Sequence, residues 1–130
     1  MKLFILAFLL SVTSAFAHDL AYGPYLKMQE ALANDDMKLA MDAHKFICDK
    51  ELIHYKDDYK DCTKSFKNLG EVRNSFKQLS QVYIENGDKK ELKTLTTATC
   101  PMAKAKWVQK NGNLKNPYLG KAMLECGEKI

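Results

Sequence analysis

The sequence predicts an all-α protein: a small antiparallel four-helix bundle, with a C-terminal segment of short helices and loops packed on it. Three observations carry this. Apolar residues recur at helical spacing over most of residues 22–83. Capping signals punctuate the pattern where one helix should hand over to the next. The 130 residues, 46% hydrophobic and 28% charged, suffice for one domain and are too few for a Rossmann enzyme, a TIM barrel or two domains. The formal charge of +4 comes from 20 basic and 16 acidic side chains scattered among one another, which reads as a solvated surface.

The chain opens with a leader. Met1-Lys2 is a short basic start, Leu3 to Leu10 is an unbroken apolar run, and Ser11, Thr13 and Ser14 lead to Ala15-Phe16-Ala17, a small-x-small cleavage site. This is the three-part layout of a secretory signal peptide. The run is too short to span a bilayer, which takes about 20 residues. Cleavage after Ala17 would leave 18–130 as a single exported domain without a membrane span. All four Cys would then sit where disulfides form.

Tyr22, Tyr25, Leu26, Gln29, Leu32 and Ala33 set the first helix. Asn34-Asp35-Asp36 interrupts it and offers an N-cap to the next. Met37, Ala40, Met41, His44, Ile47 and Cys48 share one stripe of a second helix. Tyr55, Tyr59, Cys62, Phe66 and Leu69, spaced by four, three, four and three, predict a third. Asn68-Leu69-Gly70-Glu71 has capping-box spacing ahead of a fourth, with Val72, Phe76, Leu79 and Tyr83 on its apolar face and Gly87 as its stop. In the remaining segment, 88–130, Leu92 to Thr99 carries four Thr in six positions from Thr94. That is weak for a helix and suits an extended segment or a short strand.

Two motifs in this segment hold the chemistry. One is Cys100-Pro101-Met102-Ala103, with Trp107 close behind. The other is Asn116-Pro117-Tyr118-Leu119-Gly120-Lys121-Ala122-Met123-Leu124-Glu125-Cys126-Gly127. Each Pro suits the first position of a short helix, with Asn116 as an N-cap and Gly127 as a C-terminal stop. A helix beginning at Cys100 would set its thiol at the positive end of the dipole and lower its pKa. Met102 follows closely, and Met123 and Cys126 would share a helix face. Thiolates and thioethers are soft donors that select Cu(I) or Ag(I) over hard cations. Cys100, Met102, Met123 and Cys126 are therefore the candidate metal ligands. The competing expectation is a disulfide between Cys100 and Cys126. It would close a loop with 25 residues between them, and such a loop stabilises by roughly 3–4 kcal/mol through chain entropy.

Cys48 and Cys62 have 13 residues between them and flank the turn near His54 symmetrically, which predicts a disulfide joining the second and third helices. His44, one turn before Cys48 with Met41 nearby, is either a buried, hydrogen-bonded core residue or part of a second metal-binding face. His18 would lead the cleaved chain and could chelate Cu(II) through its amine and imidazole. Trp107 and Tyr118 are expected to anchor the tail on the bundle. An enzyme needs a nucleophile with a base, or paired carboxylates in a cleft. Cys100 with His44 is the best pairing on offer, and it has no local signature, so no catalytic residue is assigned. No phosphate-binding Gly loop or nucleic-acid motif is visible.

Cys-Pro-Met-Ala, the Trp after it, and Asn-Pro-Tyr-x-Gly-x-x-Met-Leu-x-Cys-Gly make the chain resemble a bacterial periplasmic domain family of unknown function. That family occurs alone behind a signal peptide, or fused to the C-terminal end of membrane-fusion proteins of copper and silver efflux pumps. Tyr25-Leu26, Ala31-Leu32-Ala33 with Asp35-Asp36 and Ala40, and Phe76-x-x-Leu79-Ser80 agree with it. The chain departs from the family in a shorter spacing before Trp107, in Thr99 where many members have His, and in His44 where a small core residue is usual. The resemblance implies a periplasmic protein that handles Cu(I) or Ag(I), buffering it or passing it to a metal-efflux component. The alternative is a disulfide-stapled periplasmic interaction module that binds no metal.

Overall fold

Helix α1 (Tyr22–Ala33) buries the stripe read from the sequence, including Tyr25, Gln29 and Leu32. The structure, a computed structural model, describes residues 19–130; the expected leader and His18 lie outside the described residues. Helix α2 (Met37–Phe46) starts at Asp36, whose carboxylate accepts from the Leu39 N–H at 3.0 Å. Helix α3 (Leu69–Asn86) starts at Asn68, whose side-chain oxygen accepts from the Glu71 N–H at 3.0 Å. Glu71 reaches back to accept from the Lys67 N–H at 2.8 Å, a reciprocal capping arrangement. Val72, Phe76, Leu79 and Tyr83 line its buried face, and Gly87 follows its end. A short helix α4 (Lys89–Lys93) is capped by Asp88. Among the described residues, no helix is long and apolar enough to cross a membrane.

The all-α expectation is overturned in two places. The predicted third helix does not form. Helix α2 instead widens into a π turn at Ile47–Glu51, followed by 3-10 turns at Leu52–His54 and Asp61–Thr63. Tyr59 and Phe66 are buried as their spacing suggested, yet irregular backbone presents them. Asp57, Asp58, Asp61, Thr63 and Ser65 fill the gaps between the apolar positions, and such side chains compete for backbone groups and weaken a helix. The Cys48–Cys62 disulfide is present, with a Cα–Cα distance of 5.6 Å, and it ties α2's extension to this irregular stretch rather than to a second helix.

The second correction lies after α4, where a three-stranded antiparallel sheet replaces the predicted short helices. Strands β1 (Thr96–Cys100), β2 (Ala105–Gln109) and β3 (Glu128–Lys129) lie in the order β2-β1-β3. Thr is β-branched and sits well on a pleated surface, so the Thr-rich run becomes β1. Pro101 opens the β1–β2 turn, which closes with Lys104 in the left-handed region at φ 51°. The fold is therefore mixed α and β. Strand β2 packs against both α1 and α3, and the Tyr25 hydroxyl on α1 accepts from the Val108 N–H at 3.1 Å. Strand β3 is exposed, and the Ile130 N–H extends its pairing by donating to the Thr97 carbonyl at 2.9 Å.

Candidate metal centre

The second C-terminal motif folds around Asn116, which is fully buried. Its Oδ1 accepts from the N–H groups of Tyr118 and Leu119 at 2.8 and 3.1 Å, the expected cap, while its Nδ2 donates to the Cys126 carbonyl at 2.7 Å. What it caps is a turn and a 3-10 helix, Gly120–Met123, rather than an α-helix. The Pro117 carbonyl accepts from Arg73 Nε at 2.8 Å. The same guanidinium reaches the Leu32 carbonyl at 2.7 Å and the Asp35 carboxylate at 2.6 Å. That hydrogen bond holds the Asp35 carboxyl below the usual range. Gly120 has a φ of +63°, and a Cβ there would fall 1.9 Å from Asp35 Oδ1, so only glycine fits under this clamp.

The aromatic anchors sit as expected. Trp107 is fully buried and lies edge-on to Tyr118. The Tyr118 hydroxyl donates to the Lys106 carbonyl at 2.5 Å, and burial pushes its pKa well above the ordinary value. A Cβ on Gly127 would lie 2.8 Å from Trp107 Cη2. Asn116, Pro117, Tyr118, Gly120 and Gly127 thus each have a packing or hydrogen-bonding task. The side chains of Met123 and Cys126 take no part in these contacts.

The β1–β3 pairing brings the two sulfur motifs to one corner of the sheet. Thr99 stands opposite Glu128, and a Cβ on Gly127 would lie 2.8 Å from the Thr99 carbonyl oxygen. Cys100 ends β1, fully buried, and its Sγ accepts from the Ala103 N–H at 3.4 Å. No helix starts there, so the dipole expected to activate its thiol is absent. Met102 lies in the β1–β2 turn, 63% exposed, and Met123 ends the 3-10 helix, 44% exposed. Cys126 is half-buried, and its N–H donates to the Met123 carbonyl at 3.1 Å. Cys100 and Cys126 are free thiols, not joined to each other. Among the described residues no three His, Cys, Asp or Glu side chains are placed, as they stand with Cys48 and Cys62 joined, to hold a metal ion, so a site at the C-terminal cysteines must draw on thioethers.

A second polar assembly lies beside the disulfide. His44 is 4% exposed, and its Nε2 is 2.7 Å from the Tyr59 hydroxyl and 3.7 Å from Cys48 Sγ. The Tyr59 hydroxyl also bonds the Ser75 hydroxyl, which donates to Asp61 Oδ2 at 2.9 Å. A carboxylate can only accept. Ser75 therefore donates to Asp61, Tyr59 donates to Ser75, and His44 donates from a protonated Nε2. Burial lowers the His44 pKa, partly opposed by Asp61. Of the two sequence readings of His44, the hydrogen-bonded core residue is the one this arrangement matches. His54 is exposed at the end of its 3-10 turn.

The tasks of Arg73, Asp61 and Ser75 follow from no local motif, because their partners lie 14 to 44 residues away. One signal was available. Arg73 is the single Arg among 20 basic residues, and a planar fork of donors suits a clamp on several acceptors where Lys does not. Comparison of the chain with protein-family models, with curated proteins and with solved structures finds no match in any of the three.

Proposed function

We propose that the protein binds a soft monovalent ion, Cu(I) or Ag(I), through Cys100, Met102, Met123 and Cys126, in the periplasm after removal of its leader. It would hold the ion as a buffer or pass it to a metal-efflux component, and it catalyses no reaction. The observation that supports this most is the exposure of two methionines, Met102 and Met123, each on a segment that also carries an unpaired cysteine. A methionine serving the core would be covered. The likeness of the two motifs to the efflux-associated family points the same way. Two thiolates supply charge and two thioethers keep the ion exchangeable. Since Cys100 is covered, uptake must displace the turn at 101–104, whose positive-φ Lys104 is its least relaxed residue.

Anaerobic titration of the reduced protein against a calibrated Cu(I) chelator tests this. One Cu(I) per chain is expected, with no response to Mg²⁺ or Ca²⁺, which prefer oxygen. Cys100→Ser and Cys126→Ser should each abolish tight binding, and Met102→Leu or Met123→Leu should weaken it less. Equal affinity in the double Cys→Ser variant would overturn the reading and leave the metal-free interaction module.

A further inference from the structure

We propose that Cys48, Cys62 and His44 form a second metal site when their disulfide is reduced, taking Zn²⁺ through two thiolates and one imidazole. This site is separate from the C-terminal sulfurs and does not depend on them. In the oxidised protein the two sulfurs are committed to each other and cannot serve as donors.

One of the three donor separations already suits a tetrahedral zinc. Zn–S bonds of about 2.3 Å and a Zn–N bond of about 2.0–2.1 Å put sulfur and nitrogen roughly 3.6 Å apart, and two sulfurs roughly 3.8 Å apart. His44 Nε2 already stands 3.7 Å from Cys48 Sγ. The Cys48 and Cys62 Cα atoms are 5.6 Å apart, so rotation of the side chains can separate the sulfurs without moving the backbone. Nor does the placement rest on the disulfide alone. His44 lies in the last turn of α2 and Cys48 in the π turn that continues it. Cys62 follows Asp61, which α3 holds through Ser75 at 2.9 Å, with Tyr59 bonded to the same hydroxyl. Both cysteines are half-buried, which leaves a reductant and an ion a way in.

The chemistry balances with a dithiol as reductant. One of its thiolates attacks a sulfur of the disulfide, giving a mixed disulfide and a free Cys thiolate. Its second thiol displaces the other cysteine, and two electrons and two protons have passed from the donor to Cys48 and Cys62. Zn²⁺ then replaces the two thiol protons, which leave to solvent. His44 stays neutral, its proton moving from Nε2 to Nδ1 so that Nε2 can ligate. Tyr59 loses that donor and keeps its bond to Ser75. A water completes the coordination.

The test uses the full chain carrying Cys100→Ser and Cys126→Ser, so that failure of the C-terminal proposal has no bearing on it. The protein is reduced with a phosphine, desalted anaerobically and titrated with Co²⁺ alone. One Co²⁺ per chain is expected, with thiolate-to-cobalt charge transfer and tetrahedral d–d bands, both lost on adding Zn²⁺. The oxidised protein should take up none. Adding His44→Gln should weaken binding at least about tenfold, and Tyr59→Phe, which frees Nε2 from its present partner, should tighten it. Absence of Co²⁺ bands in the reduced chain overturns the proposal. So does equal affinity with and without His44, the signature of a loose dithiol in a chain that reduction has unfolded, and so does equal or weaker binding in Tyr59→Phe.

Discussion

The two cysteine pairs sit in backbones of opposite character. Around Cys48 and Cys62 the chain makes only a π turn and isolated 3-10 turns, which supply few regular hydrogen bonds of their own. There the covalent bond closes the loop. Around Cys100 and Cys126 the segments are already fastened, by the β1–β3 pairing and by Asn116, which bonds the Cys126 carbonyl and two amide groups. The thiols there remain free. The first pair closes a loop in irregular backbone, and the second ends segments that hydrogen bonds already hold.

The comparison breaks most visibly if the non-covalent fastening is removed. Asn116→Ala deletes three hydrogen bonds of a fully buried side chain, at roughly 1 kcal/mol or more each, so a loss of about 3–4 kcal/mol is expected in urea unfolding. Alkylation of Cys126 should also quicken in the folded protein. Next in size, Cys48→Ser with Cys62→Ser should cost about 3 kcal/mol, the value for a loop of this length. Replacing Cys100 and Cys126 together should cost about 1–2 kcal/mol, mostly for burying one hydroxyl at position 100. Equal losses from the two double variants would show that the second pair is a staple as well.

The smallest effect is in pH. Burial sets the His44 pKa below the ordinary imidazole value of 6.5, so the unfolded chain takes up this proton before the folded one does. The stability linked to His44 is complete above that value and is lost as pH falls below it toward the folded pKa. Unfolding midpoints followed from about pH 8 to about pH 5 should fall more steeply in the wild type than in His44→Gln. Parallel curves would mean that His44 does not change its proton affinity on folding.

What the sequence revealed was local. Asp36 and Asn68 cap the helices that follow them because a cap needs only its own neighbours. The matched distances of Cys48 and Cys62 from one turn were enough to pair them, even though the helix expected to carry Cys62 does not exist. The spacing of Tyr55, Tyr59, Cys62, Phe66 and Leu69 misled because it marks which residues are buried, and burial can be met by irregular backbone as well as by a helix. The hairpin was half legible. Its Thr-rich strand showed an extended preference, while Ala105–Gln109 is a five-residue run whose identity as β2 comes from pairing with β1 and packing on α1 and α3. The four C-terminal sulfurs were legible by type, but the burial of Cys100 and the exposure of Met102 follow from that hairpin.

The outer strand of the sheet bears on how the molecule behaves in a crowded solution. An open sheet edge is a template on which a foreign strand can grow, and long apolar edges seed aggregates. Here one edge is obstructed by Tyr25, whose hydroxyl occupies the Val108 N–H. The other is β3, two exposed residues of opposite charge, Glu128 and Lys129. An incoming strand finds too short a ladder and must desolvate an ion on either side of it. Strand addition therefore meets an obstacle at both edges of the sheet.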